Sequence, residues 1–323
     1  MKALRLKSWK SEPVMEEVPV PEPGPGEVLV QVGAAGACHS DLHLMHDLEP
    51  GLPVAVVGAW GCGSCARCLD GLETYCERPD RAPVPGGGGG LGLDGGMAEY
   101  LLVPAARHLV PLPDGIDPVD AAPLTDAGLT PYHAVRRSNA KLGPGSTALV
   151  FGVGGLGHLG LQILKATTAA RVIAVDPRES ARDLAKSCGA DLVLAPGEEL
   201  ADQVRDATGG RGADVVLDFV GSDETLAVSA KSARMMGDIT IVGIAGGTLP
   251  VSFFGVPYEA SVQTTYWGNR RELEEVLDLA ARKLLHAETT LFTLDDAAQA
   301  YRDLEHGTVR GRAVVVPHDS YQP

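Results

Sequence analysis

The run Gly152-Val153-Gly154-Gly155-Leu156-Gly157 restricts the fold more than any other stretch of this sequence. It follows residues 146–152 (STALVFG), a continuous apolar run that reads as a buried strand. It opens residues 158–168, whose apolar positions recur at helical spacing, and residues 171–176 (RVIAVD) form the next strand. Glycines between a buried strand and a helix let two backbones approach where a side chain would block them. Further on, residues 180–188 are helical and stop at Gly189. Residues 191–194, 213–219 and 238–244 repeat the strand signature, with helices between them. Strands alternating with helices at this spacing predict an α/β fold, a doubly wound parallel sheet covered on both faces.

That context gives the glycines a chemistry. Gly152 makes the tight turn, Gly154 lets backbone approach a diphosphate, and Gly157 lets helix and strand pack closely. The helix tip adds N–H groups and a partial positive charge for the phosphates. Asp176, ending the second strand, can accept both ribose hydroxyls of NAD and repel the extra phosphate of NADP. The bland alternative for Asp176 is a helix N-cap before Pro177. Arg178 and Arg182 lie close enough in sequence to relax the exclusion of NADP in part. The expectation is a Rossmann domain that binds NAD.

Residues 1 to about 127 read differently, as short β-runs broken by turn residues. A stiff Pro/Gly loop precedes a strand at residues 27–33 (EVLVQVG), and the five glycines 86–90 read as a mobile surface loop without chemistry. Cys62, Cys65, Cys68 and Cys76 follow C-x2-C-x2-C-x7-C. Four thiolates on a short loop can close a tetrahedron around one zinc ion and leave no open position, so such a site is structural. An iron–sulfur cluster and chance clustering are the alternatives. The metal reading fits a reducing compartment: the first ten residues lack a signal-peptide core and no run of eighteen apolar residues occurs, so the cytoplasm is expected. A formal charge of −15 speaks against a nucleic-acid groove.

Together these segments resemble the medium-chain, zinc-type alcohol dehydrogenases, in particular the bacterial NAD-dependent secondary-alcohol dehydrogenases. Gly36-Ala37-Cys38-His39-Ser40-Asp41-Leu42-His43 is similar to their first catalytic-zinc motif, and the four-Cys segment to their structural zinc lobe. Pro123-Leu124-Thr125-Asp126-Ala127-Gly128-Leu129-Thr130 and the ending Gly311-Arg312-Ala313-Val314-Val315-Val316 also resemble family segments. The resemblance implies a GroES-like β-barrel catalytic domain at 1–127 with its zinc lobe at 62–76, a Rossmann domain at 128–265, and a return to the first domain at 266–323. It implies catalytic-zinc ligands at Cys38 and Asp126 and a proton relay through Ser40 and His43. It implies cofactor contacts at Thr130, Gly152, Gly154, Gly155, Leu156, Gly157, Asp176 and Arg310, and a substrate pocket lined by Trp267. Zinc would acidify the alcohol, the relay would carry its proton to solvent, and the nicotinamide would take the hydride.

One departure is large. The family's Gly-His-Glu segment and the strands after it are absent: Gly51-Leu52-Pro53-Val54 runs almost directly into Val57-Gly58-Ala59-Trp60-Gly61-Cys62. The barrel is thus expected to be truncated, and Cys38 with Asp126 falls short of the usual three protein ligands unless His43 or His46 substitutes. Ala181 also stands where relatives often carry Lys or Arg. Three explanations compete: a zinc-independent reductase, an NAD-binding protein without catalysis, or a chain lacking a segment of the working enzyme. Each residue also has a plain alternative. Cys38 can be a buried structural thiol, His43 an ordinary histidine, Asp126 a helix cap, and Trp267 a core or oligomer contact. Cys188, at a helix end, is expected to be inert.

The expectation drawn from all this is an NAD-dependent oxidoreductase interconverting alcohols, secondary ones foremost, with ketones or aldehydes. An apolar pocket favours small hydrophobic substrates. A zinc-independent quinone or enoyl reductase and a silent NAD binder are the alternatives. Residues 239–244 and 251–254 are candidates to pair across a two-fold axis, giving a homodimer or homotetramer.

Overall fold

The computed structural model describes residues 1–5, 13–24, 28–37, 58–78, 86–104 and 108–317. They fall into two compact units, one of Met1–Leu129 with Trp267–Ala281 and His286–Pro323, the other of Thr130–Tyr266 with Arg282–Leu285. No helix among the described residues is long and apolar enough to cross a membrane.

The first unit opens with β1 (Lys2–Arg5) antiparallel to β2 (Val14–Glu17). Strands β3 (Val28–Gln31) and β4 (Ala35–Ala37) follow, then a cysteine-rich segment, then β5 (Gly88–Gly89), β6 (Gly92–Leu93) and β7 (Tyr100–Val103), which pairs antiparallel with β3. In β7, Leu101 and Val103 point inward while Tyr100 and Leu102 are half-buried, the two-residue period of a strand with one covered face. The five glycines 86–90 depart from the expected mobile loop. Gly87, Gly88 and Gly89 are buried, and β5 and β6 form a small paired unit. A Cβ on Gly88 would sit 2.4 Å from the Gly58 carbonyl oxygen, so glycine is needed here for a close crossing of backbones.

Helix α1 (Leu129–Arg137) carries the chain into the second unit, whose six strands are β8 (Thr147–Phe151), β9 (Arg171–Val175), β10 (Leu192–Leu194), β11 (Ala213–Asp218), β12 (Ala233–Ile241) and β13 (Ser261–Thr264). All neighbours run parallel in the order β10-β9-β8-β11-β12-β13. Numbered within the unit this is 3-2-1-4-5-6, with strand order reversing between β8 and β11. Every residue of β8 and β11 is buried, as a sheet covered on both faces requires, which is why these strands read as unbroken apolar runs.

Two details differ from the sequence expectation. Strand β12 begins earlier and stops at Ile241 rather than at residue 244, because Val242 and Gly243 turn away to donate to the Asp218 carbonyl. The edge strand β13 carried no recognised signal: Ser261-Val262-Gln263-Thr264 is short and half polar.

The chain then returns through α2 (Arg270–Ala281), β14 (Thr289–Thr293), α3 (Ala297–Glu305) and β15 (Arg312–Val316). Fully buried β15 lies between β14, parallel, and β4, antiparallel. Leu294, Tyr301, Leu304 and Val315 share one core with Leu4, Trp60, Met97 and Leu101, so residues from both ends of the chain form the first unit's interior. Leu149, fully enclosed in β8, tests the second unit's packing. Leu149→Ala should lower its stability by about 2–5 kcal/mol in denaturant titrations, against less than about 0.5 kcal/mol for Leu69→Ala on the surface.

Candidate coenzyme site and cysteine lobe

The glycine turn lies at the C-terminal end of β8, beside the point where strand order reverses. Gly152 has φ +82°, and its N–H donates to the Val175 carbonyl, tying the turn to β9. A Cβ on Gly157 would lie 1.8 Å from the Gly152 oxygen, and one on Gly160 would lie 2.8 Å from Phe219 Cζ. The helix Gly157–Thr167 therefore starts pressed against the backbone of the strand that precedes it. Gly154 is different: the nearest atom a Cβ would meet is Nη2 of Arg178, at 3.9 Å, which leaves room above the turn. Leu156 at the N-cap supplies no side-chain hydrogen bond to the helix tip, whereas Ser222 caps a neighbouring helix of the same unit. An uncapped tip under open glycine backbone suits a diphosphate.

Asp176 follows β9 and is buried. Its Oδ2 accepts from Val153 N at 2.8 Å and its Oδ1 from Arg178 N at 2.9 Å, so it braces the glycine turn and the start of the next helix together. The structure thus brings Gly152, Gly154, Gly155, Leu156, Gly157 and Asp176 into one constellation. Thr130, near the start of α1, is buried in the same unit.

Sequence reasoning missed the support beneath this turn. Phe219 packs under Gly157 and Gly160, and Val220 sits 2.8 Å from where a Gly152 Cβ would be. Asp218 holds that segment, accepting from Val220 N and Gly221 N at 2.9 Å each. Burial raises the Asp218 carboxyl above its ordinary 3.8, outweighing the lowering by Thr225 and the two amides. A folded state that keeps this proton longer than the unfolded chain loses stability as pH climbs from 3.8 to the raised value. Asp218→Asn keeps the acceptor oxygen and removes the ionisation, so its unfolding midpoint should fall less over that pH span than the unsubstituted protein's.

The four cysteines of the lobe converge: their sulfurs all lie within 4.8 Å of one another. Cys62 to Cys68 and Cys65 to Cys76 are both 3.9 Å. Zinc–sulfur bonds of about 2.3 Å in a tetrahedron put sulfurs about 3.8 Å apart, so the cluster fits one zinc ion. Hydrogen bonds from the Ser64 hydroxyl and amide lower Cys62 to about 5, amides of Glu77 and Cys68 lower Cys65, and burial pushes Cys68 up to about 12. Thiolate character in part of the cluster favours metal capture. Purified protein should carry about one zinc per chain at this lobe, and Cys68→Ser should lose it and lower the thermal midpoint, as read by elemental analysis and calorimetry.

The catalytic metal set is not assembled among the described residues. Cys38, Ser40 and His43 lie outside them. Asp126 belongs to no group of three or more ligating side chains there; its Oδ2 accepts from Arg312 Nη2 at 2.6 Å, and Arg312 is almost enclosed. Arg310 pairs with Glu288 at 3.1 Å on an exposed face of the first unit. Trp267 is half-buried with φ +47°, an unusual backbone for an aromatic residue. A small, half-open cleft in the first unit is lined by Trp60, Thr74, His108, Leu129, Gly268 and Leu273 among others, with Trp267 outside its lining.

Two family models match the chain, "Alcohol dehydrogenase GroES-like domain" over residues 45–114 and "Zinc-binding dehydrogenase" over residues 155–282. The NAD-dependent alcohol dehydrogenase of Sulfurisphaera tokodaii is 33% identical over 361 residues, covering 98% of this chain and 100% of that one. An alcohol dehydrogenase of Geobacillus stearothermophilus is 32% identical, with 98% of each chain covered. The alcohol dehydrogenase of Aeropyrum pernix superposes with a TM-score of 0.87 at 34% identity, over 98% of this chain and 100% of that one. The acetophenone reductase of Geotrichum candidum, solved with NAD, gives 0.86 at 28% identity over 99% and 98%. The first alignment is longer than the 323 residues of this chain, so that relative carries residues with no counterpart here. With both domain models matched and full-length relatives above 30% identity, the chain belongs to the zinc-type medium-chain alcohol dehydrogenases.

Proposed function

We propose that this chain is an NAD-dependent oxidoreductase interconverting small hydrophobic alcohols, secondary ones foremost, with their ketones or aldehydes. The observation that carries the reading is the uncapped helix tip above Gly152 and Gly157 with Asp176 anchored beside it, in a chain of this family. The tip and the open backbone at Gly154 bind the diphosphate, and Asp176 selects the adenosine ribose. Phe219 and Val220 hold the turn from below. NAD, when bound, supplies the hydride acceptor for alcohol oxidation. Thr130, Leu156 and Arg310 are further proposed cofactor contacts, Ser40 and His43 the proposed proton route, and Trp267 the proposed pocket wall.

The division of labour proposed for the chain puts the coenzyme on 128–265 and the substrate on 1–127 with 266–323. The cysteine lobe has a stabilising role only. Asp126, paired with Arg312, favours a second reading in which coenzyme binding persists without turnover. A turnover assay separates the two: NADH absorbance should appear with at least one member of a secondary-alcohol panel. Absence of turnover throughout, with NAD binding intact, would establish the silent reading instead. Gly157→Ala should abolish NAD binding, checked by calorimetry on protein whose thermal unfolding remains cooperative.

A homodimer or homotetramer in the cytoplasm completes the proposal. Ile244, Val251, Phe253 and Phe254 are exposed, and Phe253 and Phe254 stack edge-on, 83% of Phe254 being open to solvent. Light scattering should report a multiple of 33.6 kDa, and Phe254→Asp should shift it toward the monomer.

A further inference from the structure

His158 lies in the first turn of the helix Gly157–Thr167 and is fully enclosed. Burying an imidazole is costly unless its ring nitrogens find hydrogen-bond partners. Its Nδ1 stands 2.7 Å from the Gly154 carbonyl oxygen. A carbonyl oxygen can only accept, so the ring carries a proton on Nδ1 and donates it there. The same oxygen takes the His158 backbone N–H at 3.2 Å. Side chain and main chain of one residue thus hold one carbonyl.

That carbonyl belongs to the peptide joining Gly154 to Gly155, two residues with no side chain to restrain them. Neighbouring peptides are tied elsewhere: Gly152 N donates to the Val175 carbonyl and Val153 N to Asp176 Oδ2. In a planar trans peptide the C=O and N–H point in opposite directions. With the Gly154 oxygen drawn onto the first turn of the helix, the Gly155 N–H faces away from it, beyond the tip. That N–H makes no hydrogen bond among the described residues, and Gly155 is half-buried, so a ligand can reach it.

We infer that His158 is a positioning residue for the diphosphate: its Nδ1–H clamps the Gly154–Gly155 peptide so that the Gly155 N–H is aimed at the phosphate oxygens. The inference rests on the glycine turn being the coenzyme site. His158 acts through one peptide plane and not by contact with the coenzyme.

Leucine and asparagine are close in size, and only asparagine can present an amide N–H where Nδ1 stands. Calorimetric titration of NAD and ADP into His158→Leu and His158→Asn therefore separates the donor from the volume it fills. His158→Leu should bind both ligands about tenfold more weakly than the unsubstituted protein. His158→Asn should recover to within about threefold, although the two variants lose similar thermal stability. A second measurement needs no substitution: NMR of isotope-labelled histidine in the unsubstituted protein should find the His158 proton on Nδ1. Equal weakening in both variants, unchanged affinity in His158→Leu, or a ring protonated on Nε2 alone would each overturn the inference while NAD binding by the unsubstituted protein kept the site reading standing. An unsubstituted protein that bound neither NAD nor ADP would overturn both.

Discussion

Two backbones touching at Gly152 and Gly157 set the geometry of the second unit. The space between the Gly152 oxygen and the Gly157 Cα holds no side chain, and a methyl there would sit 1.8 Å from that oxygen. This contact seats the following helix against the sheet, brings Phe219 beneath it and points the helix tip at the open side of Gly154. Asp176 and Asp218 then fix the turn from two sides, each accepting from backbone amides of the segments they brace. The anion binding proposed for the site would follow from backbone placement more than from charged side chains, which a chain of net charge −15 can still provide.

The first unit is organised by a different constraint. Its strands are short, and its core draws on residues from both ends of the sequence. A zinc ion held by the four-cysteine lobe would cross-link a segment whose Leu69, Asp70, Gly71 and Tyr75 are exposed. The Arg312–Asp126 pair belongs to this interior, a cation on the last strand answering an anion 186 positions earlier. It gives Asp126 a partner that is almost fully enclosed.

What could be read from sequence alone follows from the range of the forces involved. The glycine turn, the helix beyond it and the cysteine spacing are local, and each was legible because its physical requirement is met within a few residues. Buried strands β8, β9 and β11 were legible as apolar runs. The glycines 86–90 misled because composition alone suggests a loop, while the crossing with Gly58 that makes glycine necessary is long-range. Edge strand β13 has half-exposed residues and so lacks the periodic signal of a covered strand. Phe219 under the turn and Arg312 against Asp126 carry no sequence mark, because their partners are distant along the chain. Cys38, Ser40 and His43 lie outside the described residues, so the structure adds nothing to their reading.

The position of β15 has a consequence for synthesis. It is the central strand of its sheet, flanked by β14 and β4, yet it leaves the ribosome after both of them. Residues 130–266, by contrast, form a nearly continuous unit whose strands pair with close neighbours in sequence order. The nascent chain can therefore assemble its second unit during translation, while the first waits with Val32, Ala35 and Met97 uncovered until residues 312–316 arrive. For that interval the exposed apolar surface belongs to the amino-terminal half, and a chaperone acting on this protein would meet it there.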